Sequence, residues 1–141
     1  MSIQAVLAPL FVQVALTFVL LIWMAHVRTS ALRARQVHIR DIALRQPNWP
    51  VPVAQVSNAY HNQLELPILF YVLTILVIVT KKADLTFVVM AWLFVALRIV
   101  QALIHTTTNQ VSRRGLAFAV GAVVLIVMWV IFAARILSST G

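Results

Sequence analysis

Apolar residues run along this chain in four long blocks, separated by short clusters of charge, polar residues and proline. An α-helix needs roughly 20 residues to cross about 30 Å of hydrocarbon, and every block reaches that length. The pattern predicts helices near residues 5–27, 53–80, 84–108 and 115–137. The first block has no basic n-region before it and no small-residue cleavage pattern after it, so it reads as a retained span rather than a signal peptide. The expected fold is an all-α integral membrane four-transmembrane-helix bundle in one domain, 1–141.

The connection 28–52 is the one long loop. Its first part, RTSALRARQVHIRDIAL, reads equally as a short basic helix lying on the headgroups or as a solvated loop. Its end, Pro47-Asn48-Trp49-Pro50-Val51-Pro52, cannot be helical throughout, because proline restricts both itself and its predecessor. Trp49 suits the membrane interface, and Pro52 suits the first turn of the second span. The remaining connections are short: Lys81-Lys82-Ala83, and about Asn109 to Arg114.

Polar residues inside the spans are few and periodic. In the second span Asn58, His61, Asn62 and Glu65 fall at offsets 0, 3, 4 and 7, one face of a helix. In the third, Arg98, Gln101, His105 and Asn109 fall at offsets 0, 3, 7 and 11, again one face. Lipid cannot satisfy such stripes, so they are expected to face each other or a watered cavity. At 1.5 Å per residue, Glu65 and Arg98 lie roughly 20 and 18 Å from the first-loop side, His61 and Gln101 both roughly 13 Å, and Asn58 and His105 both roughly 8 Å. Glu65 is the only glutamate among three acidic residues, and a carboxylate at that depth needs a partner. The matched depths predict an ion pair between Glu65 and Arg98. Two readings stay open: a clamp that fixes helix register, or a cavity open to the first-loop side that holds a polar ligand.

Composition agrees with a membrane protein. The chain is 62% hydrophobic and only 10% charged, with mean hydropathy +0.98, whereas soluble domains run near 25% charged. Its net charge of +8 suggests nucleic acid until the charges are placed. Arg28, Arg33, Arg35, Arg40 and Arg45 fall in the first connection and Arg113 and Arg114 in the third, against Lys81, Lys82 and Arg135 opposite. That bias puts loops one and three in the cytoplasm and both termini outside, and no nucleic-acid partner is expected. With no cysteine, disulfides, thiolate metal sites and a cysteine nucleophile are excluded.

Secondary features have competing readings. His61, Glu65 and His105 have the donor types of a His-His-carboxylate metal site, but the longer metalloprotease pattern is missing and no metal is expected. His26 and His38 read as interfacial or solvated. Gln13 and Thr17, one turn apart, are candidates to line the same cavity, although a threonine hydroxyl also bonds readily to its own helix. Pro67 clashes with the carbonyl of Gln63 and predicts a kink beside the stripe. Ala117-x-x-x-Gly121 is a small-xxx-small pattern that favours close helix packing.

Four spans, a long basic first loop, Asn62-x-x-Glu65 followed by Pro67, and Arg98…His105-Thr-Thr-x-Asn109 together resemble the MAPEG superfamily, the membrane-associated proteins in eicosanoid and glutathione metabolism. The resemblance covers nearly the whole chain and is nearest to bacterial members, as in Asp41-Ile-Ala-Leu and Asn62-Gln-Leu-Glu-Leu-Pro67. It implies a homotrimer of four-helix bundles, here in a bacterial inner membrane. Glutathione would bind as co-substrate between subunits near the cytoplasmic side, and a small lipophilic substrate would arrive from the bilayer. Members of the family grip the tripeptide with Arg-x-x-x-Asn-x-x-Glu; Asn62 and Glu65 match, while Asn58 stands at the arginine position. Arg98 fits an arginine of the third helix, and the tyrosines that follow it correspond to Ile99 and Leu103. The arginine taken to activate the thiol lies near Gln110, so Arg113 or Arg114 substitutes only if the loop folds back.

These matches make Asn58, Asn62, Glu65, Arg98, Gln101 and Asn109 the expected ligand-binding set, with His61, His105, Arg113 and Arg114 as catalytic candidates. Each histidine is a base, a thiolate partner or an inert structural residue. The expected activity is a glutathione transferase or peroxidase type. A non-enzymatic bundle that binds a lipid or small polar ligand, or scaffolds other proteins, is the alternative, and a small transporter a third.

Overall fold

In a computed structural model, which describes residues 1–139, the chain folds into five α-helices that make four apolar spans. They are α1 (Ile3–Arg33), α2 (Val51–Asn62), α3 (Leu66–Val79), α4 (Leu85–Thr106) and α5 (Val111–Ser138). α2 and α3 are two halves of one span, Val51–Val79.

The kink expected beside Pro67 is present as a full break, so the helix expected over 53–80 is two helices within one span. Pro67 is at the start of α3, where its missing N–H is no loss. Ahead of it the chain tightens into i→i−3 bonds: Gln63 N–H to Tyr60 O at 2.9 Å, Leu64 N–H to His61 O at 3.0 Å and Glu65 N–H to Asn62 O at 3.4 Å. A buried amide pair holds the break from outside, the Gln13 amide on α1 donating to Gln63 Oε1 at 2.8 Å. Gln63 in turn donates to Ala59 O at 3.2 Å.

Two other boundaries differ from expectation. α1 continues to Arg33, so Arg28 and Arg33 are helical; the helix stays in use because Ala31 packs with Val37 and Val53 beneath Trp49. The basic segment that follows contains only one turn of 3-10 helix, Ile39–Asp41. α5 begins at Val111, four residues before the expected 115. The reversal is compact because Asn109 adopts the left-handed conformation (φ 52°) that asparagine tolerates, and its N–H reaches Ile104 O at 2.7 Å.

The main core lies where α3, α4 and α5 meet: Phe70, Leu73 and Val77 pack against Phe87, Ala91, Phe94 and Val95, with Val124, Leu125 and Met128 closing the third side. Phe70 and Phe94 stack with ring centroids 5.0 Å apart. Gly121 faces α4, and a Cβ there would sit 3.9 Å from Leu97 Cβ, so the small-xxx-small pattern does allow close approach. At the far end Asp84 caps α4 by accepting from Phe87 N–H and pairs with Arg135 at 2.6 Å. A smaller cluster, Leu20, Ala59 and Ala102, joins α1, α2 and α4 at the level of the polar stripes. The outer faces carry large apolar residues such as Ile22, Val79, Val89 and Ile126, a surface made for lipid or subunits.

Candidate functional site

The polar stripes meet in one cleft. Asn58, His61, Asn62 and Glu65 form one wall, Gln101 and His105 of α4 the floor, and Arg114, Gly115 and Phe118 of α5 the other wall, around a volume of about 450 Å³. The break in the second span positions the first wall, and the early start of α5 supplies the second.

Glu65 and Arg98 do not form the expected ion pair. The ion pairs among the described residues are Arg40–Asp41 and Arg135–Asp84. Arg98 is 1% exposed and donates from Nη2 to the carbonyl of Asn62 at 2.9 Å and from Nη1 to Gln101 Oε1, while its Nε has no partner. The reason is the helix break. Ending α2 at Asn62 leaves its carbonyl, at the negative end of the helix, with only the long 3.4 Å bond from Glu65 N–H, and a guanidinium is a suitable cap for it. Phe118 covers the other side, its ring centroid 5.8 Å from the guanidinium carbon. Arg98 thus lies behind the cleft and supports its walls. Glu65 stands at the N-cap of α3 with no side-chain cap bond, exposed to the cleft.

The opposite wall is organised around Arg114. Its Nη1 lies 3.1 Å from His105 Nε2 and donates to Asn109 Oδ1 at 2.6 Å. A guanidinium can only donate, so His105 Nε2 accepts and the ring carries its proton on Nδ1. Asn62 Nδ2 lies 3.1 Å from Nδ1; two N–H donors cannot bond, so with the ring proton on Nδ1 the amide must turn over, its oxygen on the ring and its NH2 toward the cleft. One terminal nitrogen of Arg114 is thereby tied down. Its Nη2 and Nε have no hydrogen-bond partner among the described residues.

Of the expected residues, Asn58, His61, Asn62, Glu65, Gln101, His105 and Arg114 therefore come together in the cleft. Arg98 and Asn109 act from behind it, and Arg113 points elsewhere, exposed. Gln13 is also corrected: it is fully buried against Gln63 rather than lining the cavity, and Thr17 donates to Gln13 O at 3.0 Å. A family model, that of the MAPEG family, matches residues 6–134. The chain belongs to the MAPEG family. Comparison with curated proteins and with solved structures gives no match. As a MAPEG protein with four apolar helical spans it is an integral membrane protein, of a family whose general function is of the glutathione transferase or eicosanoid type.

Sequence reasoning missed three contributors to this MAPEG site. Gly115 and Phe118, one turn apart behind Arg114, form the α5 wall, and nothing lies within 4 Å of where a Gly115 Cβ would be. Gln63 fixes the break. Its signal was present, since a glutamine beside the Asn-x-x-Glu stripe but off its face needs a partner in a neighbouring helix.

Chemically, the cleft sets the Glu65 carboxylate, which is in no salt bridge, across from a guanidinium and among three amides, those of Asn58, Asn62 and Gln101, the last spending its oxygen on Arg98. That arrangement suits a zwitterionic polar ligand, with its cation at Glu65 and its anion at Arg114.

Proposed function

We propose that the cleft binds glutathione and activates its thiol for reaction with a lipophilic acceptor. The observation that carries this reading is the pairing of walls: Glu65, in no salt bridge among the described residues, lines the same cleft as Arg114, which is tethered by His105 and Asn109. The tripeptide amine would meet Glu65, the Asn62 and Gln101 amides would donate to its carbonyls or carboxylates, and Arg114 would stabilise the thiolate once the thiol proton passes to water. In transfer, the thiolate forms an S–C bond with an electrophilic carbon, whose leaving group departs with the electron pair. In peroxide reduction, it takes the distal oxygen of a hydroperoxide, giving an alcohol and a sulfenic acid that a second thiol converts to disulfide and water.

The reading places loops one and three in the cytoplasm and, as a homotrimer, lets a neighbouring subunit close the open flank. The rival is a non-enzymatic member that only binds a small polar ligand or lipid, favoured by Asn58 standing where family members carry arginine. Turnover separates them. Purified protein given glutathione and a hydrophobic aryl halide should form thioether, and Arg114→Gln should abolish the enzymatic part. Binding of glutathione with no thioether above the uncatalysed rate would establish the rival.

A further inference from the structure

A second chamber lies beside the cleft, between the first loop and α2. Arg28, Arg45, Gln46, Trp49 and Ser57 line it, its volume is about 580 Å³, and it shares Asn58 and His61 with the cleft as a common wall. It contains two guanidinium groups and no carboxylate. Arg28 is held in place on two sides: its Nε donates to buried Ser57 Oγ at 3.1 Å, and its guanidinium carbon lies 5.1 Å from the centre of the Trp49 ring. Neither contact neutralises its charge, and its terminal nitrogens have no hydrogen-bond partner among the described residues. Arg45 adopts the left-handed backbone (φ 62°), which fixes the bend that brings it to the chamber.

We propose that this chamber is a binding site for a phosphate group, carried by an anionic phospholipid of the surrounding leaflet. Two guanidiniums and a hydroxyl lining one chamber match the several acceptor oxygens of a phosphate. The lipid source follows from position. The chamber sits where one span leaves the bilayer and the next enters it, beside an interfacial tryptophan. The loop around it exposes Ile39 (71%) and Leu44 (84%), and the start of α2 exposes Val51 (69%), apolar residues that suit a headgroup layer. This site does not depend on the thiol reading of the neighbouring cleft.

The test uses the full-length protein in detergent micelles. Thermal melts are recorded with phosphatidylglycerol, with phosphatidylcholine and with inorganic phosphate, and bound lipid phosphorus is measured after washing. Phosphatidylglycerol should raise the melting temperature and be retained, and phosphatidylcholine should do neither. Arg28→Gln/Arg45→Gln should weaken retention about tenfold or more, as expected for losing charge-assisted hydrogen bonds. Arg33→Gln/Arg40→Gln, which removes the same charge from exposed positions outside the chamber, should retain lipid as the wild type does. Inorganic phosphate that displaces the lipid and reproduces the shift supports the phosphate chemistry and moves the source to solution. Equal loss in both double variants, or equal stabilisation by both lipids, would overturn the site in favour of diffuse surface charge. Should Arg28→Gln fail to fold, Arg45→Gln alone, at an exposed position, makes the same comparison.

Discussion

The amide pair that holds the broken span gives a sharp prediction. Gln13 is 0% exposed and Gln63 1%, and their 2.8 Å hydrogen bond crosses from α1 to the break that sets Asn62 and Glu65. Replacing Gln13 by leucine, a side chain of similar volume, leaves Gln63 Nε2 bonded to Ala59 O but strands its oxygen in an apolar core. Leaving a buried polar group unsatisfied costs about 1–3 kcal/mol. Gln63→Leu strands the Gln13 amide and also frees Ala59 O, so it should be the costlier change. Gln13→Leu/Gln63→Leu removes both stranded groups and converts the site to apolar packing, which should recover much of the loss. Interhelical hydrogen bonds in membrane bundles show coupling that averages about 0.6 kcal/mol and reaches about 1.7 in double-mutant cycles, and a value toward that upper end is expected for this fully buried pair. Reversible unfolding in mixed micelles of the four proteins measures it. Glutathione binding should fall in the double variant despite its recovered stability, because the break is no longer pinned. Additive destabilisation would show that the two amides act independently and that the break is held by something else.

Other predictions concern the cleft and the topology. Asn58→Arg places a cation on the same wall of the cleft, two turns from Glu65, and should tighten glutathione binding by about 1.5–3 kcal/mol in titration calorimetry, the worth of one charge-assisted hydrogen bond; unchanged affinity would argue against a family-like pose. Gly115→Leu meets open space, so the melting temperature should hold or rise while affinity falls as the side chain fills the cleft; a collapse in stability would show that α5 is packed more tightly than described. Single cysteines at Ser30 and Lys82 in this cysteine-free chain should label from opposite faces of sealed vesicles, with Ser30 on the cytoplasmic face.

How far the site was legible depends on which residues are considered. Asn58, His61, Asn62 and Glu65 on one face, and Gln101 and His105 on another, do line one cleft, because a polar face in an apolar span has few places to go. The partners were not legible. Matching depths on straight helices paired Glu65 with Arg98, but three residues of tightened turn changed the electrostatics on both sides. Arg98 found a helix-terminal carbonyl instead, and the carboxylate came to face the cleft unpaired. Arg114 was a candidate only if its loop folded back, and the sequence did not show that it does. A loop was expected up to residue 114, whereas the left-handed Asn109 shortens it and brings α5 back over the site with the arginine in its first turn. Local backbone events of one to three residues, weakly encoded by single asparagines and glutamines, decided what the readable stripes do.

The most direct measurement is the ultraviolet thiolate absorbance of glutathione bound to the wild type, Glu65→Gln and Arg114→Gln, followed as a function of pH. A free thiol ionises near pH 8.5. The wild-type complex should show the thiolate band well below that, at neutral pH. Arg114→Gln should still bind the tripeptide but return ionisation toward the free value. Glu65→Gln should need at least about tenfold more glutathione to reach the same signal, since an amine–carboxylate contact is lost. A thiolate band unmoved by Arg114→Gln, or an affinity indifferent to Glu65→Gln, would contradict the roles assigned to the two walls of the cleft.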